Sequence, residues 1–419
     1  MKVLESHGRA PVRLRLWLVV PAGVLAGVVL IATVVLLSRG GGTPKHSPGG
    51  GARGVAHLSL VSSSPASGAV DIASDTAIRL TFSAPVSLGQ AKPVLVPAVA
   101  GTWAKSGTKS LVYRLEAPLM PSTTETVTIP GGAHGLRAVD GRTLSAATSL
   151  TFTIAPGDPT RLQQLLAQLD FLPLAFNPSG APPAPKDLAR DEPGSFAWKW
   201  PGLPAELTSQ WTQGSVDMIT KAAVESFENQ NGLTVDGDAG PAVWAALLSA
   251  ARAHKVDAVP YVYVLVTKVL PEHLTLYDNG VAQYSGILVN TGATGADTVN
   301  GTFAVFEHVR YSDMKGTNPD GSKYNDPNVP YASYFNGGDA LHGFIRASYG
   351  SPQSNGCVEM TYTNAALVWP LTPIGTLVTV EGPASPPLPT TTTTTAPATT
   401  TTAPPTTTTA PPTSTTPPT

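Results

Sequence analysis

Cysteine is almost missing from this chain: one thiol, Cys357, stands among 419 residues. A lone cysteine excludes a disulfide scaffold within the chain. An excess of either charge is missing too. Lys and Arg number 26 against 28 Asp and Glu, a net charge of −2, so the sequence offers no broad basic face for nucleic acid. Charged residues of any kind make up only 13%, which disfavours long exposed helices. Glycine and proline are abundant instead, at 40 and 41 residues, and both punctuate strands and loops. The length allows several domains. The expectation is a multidomain, mainly β protein.

The two ends differ from the middle. Residues 1–15 carry Lys2, Arg9, Arg13 and Arg15 against Glu5, and residues 16–38 are apolar and uncharged. A run of about 20 apolar residues rising roughly 1.5 Å each spans a hydrocarbon core of about 30 Å. The basic flank places residues 1–15 in the cytoplasm and the rest outside. A cleaved signal peptide is the rival reading, but its apolar core is usually shorter and ends in small residues. Val34-Val35-Leu36-Leu37-Ser38-Arg39 offers no Ala-x-Ala site. Both readings export the chain, and the longer run favours a single-pass anchor in the cell membrane. Residues 383–419 are almost wholly Thr, Pro, Ala and Ser, without the apolar content to build a core. They read as a disordered spacer, stalk or solvated tail.

Between the ends the pattern changes several times. Residues 39–56 are a Gly- and Pro-rich linker. Residues 57–156 alternate short β-type runs with turns, as in Ile78-Arg79-Leu80-Thr81-Phe82 and Ser149-Leu150-Thr151-Phe152-Thr153-Ile154, which predicts a β-sandwich. Residues 157–206 hold a helix over 160–170 and a Pro-rich connection. In residues 207–253 a helix over 215–229 places Val216, Ile219, Ala223 and Phe227 on one face. Gly232-Leu233-Thr234-Val235-Asp236-Gly237-Asp238-Ala239-Gly240 follows as a turn, and Pro241 starts a second helix that carries Trp244. Asp236 is suited to holding the turn through backbone hydrogen bonds; Trp244 suits a core or a sugar platform. Residues 258–382 return to strands. Asp278-Asn279-Gly280 marks a hairpin, and a short helix is expected over 362–369.

Chemistry concentrates in that last region. Cys357 lies in Ser354-Asn355-Gly356-Cys357-Val358, fifteen positions after His342-Gly343. A histidine brought to a thiol can take its proton and release a strong nucleophile, and an imidazole with a pKa near 6.5 can accept and return that proton. The plain alternative is a small buried Cys beside an ordinary histidine. No His, Cys and Asp spacing suggests zinc, so neither metal nor cofactor is expected. The order His before Cys departs from papain-like peptidases.

These motifs resemble known families. Ser64-Pro65-Ala66-Ser67-Gly68-Ala69 and Thr81-Phe82-Ser83-Ala84-Pro85-Val86 resemble bacterial Ig-like domains. The helix, Gly-Leu-x-Val-Asp-Gly loop and second helix resemble the small peptidoglycan-binding domain, which makes Asp236, Gly237 and Trp244 the wall-binding candidates. Over about 120 residues the C-terminal region resembles the catalytic domain of the L,D-transpeptidases (YkuD-like). It matches that family's pattern at His342, Gly343, Ser354, Gly356, Cys357 and Val358. It departs at Asn355, where His is frequent, and at Glu359, where Arg or Asn is usual.

The resemblance implies acyl transfer on peptidoglycan stem peptides. Cys357 would be the nucleophile and His342 its base, with a thioester intermediate and release of D-alanine. Gly356 would let the backbone approach the reacting carbonyl. Backbone N–H groups of residues 355–357 would hold the oxyanion, and Ser354 would hold the loop or orient His342. Glu359 either raises the thiol pKa or turns away to pair with Arg346 or a substrate ammonium. Three functions follow: transpeptidase, L,D-carboxypeptidase with water as acceptor, or a decayed catalytic domain serving as a wall anchor.

Overall fold

The computed structural model describes residues 57–385. The apolar run 16–38 and the tail from residue 386 onward lie outside the described residues. Among the described residues, no helix is long and apolar enough to cross a membrane.

Period-two alternation builds the first domain. One sheet runs Leu60–Ser64, Ile78–Phe82, Ser110–Leu115, Gly101–Lys105; the other runs Ala69–Ile72, Thr148–Ile154, Thr124–Ile129, Val94–Val96. Alternate residues point inward. Ile78, Leu80 and Phe82 from one sheet therefore meet Val127, Ile129, Leu150 and Phe152 from the other in a common core. Each such side chain contributes about 1.5–3 kcal/mol on burial.

A second core joins the connector to the helical module. Helix Pro159–Gln168 starts at Asp158, whose carboxylate accepts from the N–H groups of Thr160 and Arg161. Its Leu162, Leu165 and Leu166 pack with Ile219, Phe227, Trp244 and Leu247 of the two later helices. The Pro-rich connection also contains an antiparallel hairpin, Leu174–Pro178 with Gly194–Trp198, which the sequence reading left unstructured. Helix Met218–Asn231 is capped by Asp217 and ends at Gly232 in a left-handed conformation. It begins after Val216, which is exposed rather than part of the apolar face.

The C-terminal domain has two sheets. The first runs Val281–Leu288, His273–Asp278, Val262–Thr267, Leu377–Glu381, Gly301–Ala304. Asn279 and Gly280 both take positive φ at the hairpin, as a two-residue type I′ turn requires. The second sheet runs Glu307–Thr317, Lys323–Asn336, Asp339–Gly343, Val358–Met360. Its long first hairpin pairs Glu307–Thr317 with Lys323–Asn336. Val264, Val266, Leu274, Leu341, Val358, Met360 and Val378 form the core between them, with Ala365 and Val368 of helix Tyr362–Val368. Tyr263 and Leu377 belong instead to the helical module's core. The central strand Val262–Thr267 is thus buried on both faces, which explains its unbroken apolar run.

Candidate active site

Strand pairing sets the geometry. Asp339–Gly343 and Val358–Met360 run parallel, with Leu341 opposite Val358 and His342 opposite Glu359. Residues opposite one another share a face, and faces alternate along a strand. Leu341, Val358 and Met360 point into the core. Ala340, His342 and Glu359 share the other face, and the alternation carries Cys357, directly before its strand, to that face as well. Strand spacing and rise put the Cα atoms of His342 and Cys357 about 8 Å apart.

The imidazole is buried at 2% exposure. Its Nδ1 lies 3.1 Å from the Gly343 carbonyl. A carbonyl only accepts, so Nδ1 carries the proton and Nε2 presents a lone pair. Burial lowers the His342 pKa; the Gly343 hydrogen bond and Glu359 oppose the shift, and the ring is neutral at pH 7. Phe344 meets it edge-on, and the Arg346 guanidinium lies 4.8 Å from the Phe344 ring centre.

Cys357 is half-buried. Desolvation pushes its thiol pKa up to about 12, the Ala340 N–H opposes the shift, and Asp339 and Glu359 add to it. Sγ lies 3.6 Å from the Gly338 carbonyl. The resting pair is therefore a neutral thiol and a neutral imidazole, and the chemistry needs a proton transfer rather than a standing thiolate.

The loop before the thiol is held from several sides. Ser354 Oγ donates to the Cys357 carbonyl at 2.6 Å and accepts from the Gly356 N–H at 3.2 Å. Ser354 therefore fixes the loop, and its hydroxyl does not bond His342. Gly356 has φ +110°, and a Cβ there would lie 2.3 Å from Asp339 Oδ1, so only glycine fits. Because the Gly356 N–H is engaged, it is not an oxyanion donor. The N–H groups of Asn355 and Cys357 have no acceptor among the described residues. Asn355 is exposed and its Nδ2 donates to Asn318 Oδ1 at 2.6 Å, which ties the loop to the tip of the long hairpin. Gly343 leaves room for the last helix, since a Cβ there would lie 2.9 Å from the Tyr362 ring.

Glu359 is paired. Arg346 Nε and a terminal nitrogen donate to its two carboxylate oxygens, both at 2.7 Å. Of the two readings of this residue, the pair with Arg346 is formed, while the carboxylate still adds modestly to the thiol shift. Burial raises the pKa of Tyr324 and Tyr334, and a thiolate at Cys357 would raise both further, so both phenols lie within electrostatic reach of the sulfur. Neither tyrosine stood out in the sequence, because a long hairpin brings them there.

The wall-binding candidates separate. Asp236 is exposed, and its Oδ1 accepts from the Asp238 N–H at 2.9 Å. Gly237 is buried with φ +71°. Trp244, at 1% exposure, is a core residue packed against Gly157 and has no face for a sugar. The loop's main anchor is one the sequence reading missed: fully buried Glu228 accepts from the N–H groups of Asp236 and Gly237.

Comparison with known proteins follows this geometry. Residues 262–380 match the model of the L,D-transpeptidase catalytic domain, residues 208–247 that of a peptidoglycan binding domain and residues 55–154 that of a bacterial Ig-like domain. Among solved structures, an L,D-transpeptidase from Mycobacterium smegmatis is 11% identical, with 78% of this chain and 100% of that chain covered and a TM-score of 0.27. The L,D-transpeptidase LdtMt1 in complex with imipenem is 12% identical, covering 77% and 98%, with a TM-score of 0.27. The catalytic domain of the E. faecium L,D-transpeptidase acylated by ertapenem is 23% identical, covering 30% and 100%, with a TM-score of 0.26. No curated protein matches the chain.

Proposed function

We propose that this chain, which carries an L,D-transpeptidase catalytic domain beside a peptidoglycan binding domain, cross-links stem peptides through a thioester on Cys357. His342 Nε2 takes the thiol proton as Sγ attacks the donor carbonyl. The tetrahedral oxyanion is met by the free N–H groups of Cys357 and Asn355, each worth roughly 2.7–4 kcal/mol if fully aligned. The imidazolium then gives its proton to the departing D-alanine amine, and the C–N bond breaks. An acceptor amine attacks the thioester, His342 takes its proton, and the sulfur leaves and is reprotonated. Residues 16–38 would hold the enzyme in the cell membrane with this site facing the wall.

The observation that supports the reading is the shared face of His342, on its strand, and Cys357, directly before the parallel strand beside it, with no acceptor for the Cys357 N–H among the described residues. Incubation of the full-length chain with a tetrapeptide muropeptide tests it. Cross-linked dimers and free D-alanine are expected from wild type and not from C357A. Tripeptide without dimers would assign hydrolysis, and no product at all would assign a wall anchor.

A further inference from the structure

Thr298 lies far from the His and Cys motifs in sequence, yet its side chain reaches the catalytic loop. It is fully buried. Its Oγ1 donates to the Gly356 carbonyl at 2.6 Å and accepts from the Gly292 N–H at 2.8 Å. Thr298 is itself anchored, because the Lys268 ammonium donates to its carbonyl at 2.9 Å. The loop that holds it is fixed in turn by Glu272, whose carboxylate accepts from both the N–H and the hydroxyl of Thr291 at 2.7 Å.

The backbone groups of Gly356 and Cys357 can be followed one by one. The Gly356 N–H goes to Ser354 Oγ, the Gly356 carbonyl receives Thr298 Oγ1, and the Cys357 carbonyl receives Ser354 Oγ. The Cys357 N–H is left over. The Gly356 carbonyl and the Cys357 N–H belong to one planar trans peptide, in which the two bonds point in opposite directions. A hydroxyl that fixes the carbonyl toward Thr298 thereby turns the N–H away from Thr298. Gly356, at φ +110°, gives this peptide unusual freedom to rotate, so the alignment depends on an external tie.

We propose that Thr298 is a positioning residue for the oxyanion site: it orients the Gly356–Cys357 peptide so that the Cys357 N–H meets the developing oxyanion. The inference rests on acyl transfer at Cys357 as read above. It separates two reactions of one sulfur. Attack on a carbonyl builds an oxyanion and needs that N–H. Alkylation by iodoacetamide forms an S–C bond with loss of iodide, builds no oxyanion, and does not need it.

The test measures both rates on the full-length chain for wild type, T298V and T298S, by mass spectrometry at Cys357. The acylation probe is ertapenem, whose strained β-lactam amide opens on attack by Sγ, the ring nitrogen taking the proton. T298V should acylate roughly 10–100-fold more slowly, less than the roughly 100–1,000-fold cost of removing an oxyanion donor outright because the N–H is misaligned rather than lost, while alkylating at the wild-type rate. T298S, which keeps the hydroxyl, should restore acylation to within about twofold of wild type by that same argument. If T298V does not fold, as its melting curve would show, T298A replaces it with the same expectation. Equal acylation by the hydroxyl-less variant and wild type would overturn the inference, and so would an equal fall in both rates, which is loop collapse. Wild type that alkylates but never acylates would refute the acyl-transfer reading itself, a distinguishable failure.

Discussion

At the scale of residues, burial rather than standing charge sets the protonation of the candidate site. Desolvation lifts the thiol to about 12 and depresses His342 below its usual 6.5. Both groups are therefore uncharged across a broad neutral window, and the imidazole is ready to accept. Acylation should follow the neutral form of His342. Its rate is expected to be level from about pH 7 upward and to fall on acidification at a midpoint below 6.5; stopped-flow acylation across pH 4–9 checks this, and a midpoint above 6.5 would contradict the buried-base assignment. The same depression affects stability. On acidification the unfolded chain binds the proton first, so His342 lowers stability as pH falls through 6.5, and its contribution is complete above that value.

Elements explain why single residues could be found while their settings could not. Cys357, His342, Gly343 and Gly356 could be singled out from the sequence because the pattern they form asks for one residue type at each place. Strand alternation disclosed the sandwich and most of the catalytic sheets. What stayed hidden depends on contacts distant in sequence. The hairpin within the Pro-rich connection has no clean alternation, and the long hairpin that brings Tyr324 and Tyr334 to the thiol is broken by polar and Pro residues. Buried polar ties are equally silent. Fully buried Gln163 on helix Pro159–Gln168 shares its two amide hydrogens among the carbonyls of Thr212 and Ser215 and the Thr220 hydroxyl, and accepts from the Gly214 N–H. This one amide locks the start of helix Met218–Asn231 onto the connector. Q163A should lower unfolding free energy by about 1–3 kcal/mol, the cost of leaving buried partners unsatisfied. Urea denaturation measures it, and an unchanged midpoint would show that the amide is dispensable.

On the whole-molecule scale, two cores share one sheet. The strand Val262–Thr267 gives Val264 and Val266 to the catalytic core and Tyr263 to the core of the helical module. The helical module is thus packed onto the C-terminal domain, not merely linked to it. Trp244 marks the limit of reading such a module from sequence: an aromatic in a wall-binding motif suits a sugar or a core equally, and only packing against Gly157 decides for the core. Glu359 gives the same lesson, since an acid where Arg or Asn is usual shows its partner, Arg346, only in the fold.

The proposed function depends on His342 activating Cys357 for attack on a carbonyl. Intact mass spectrometry of the full-length chain after exposure to ertapenem tests this most directly. The account predicts one adduct on wild type, none on C357A, and an adduct on H342A that forms at least about 100-fold more slowly, the lower range for loss of a general base. Equal rates for wild type and H342A, or an adduct that persists on C357A, would contradict it.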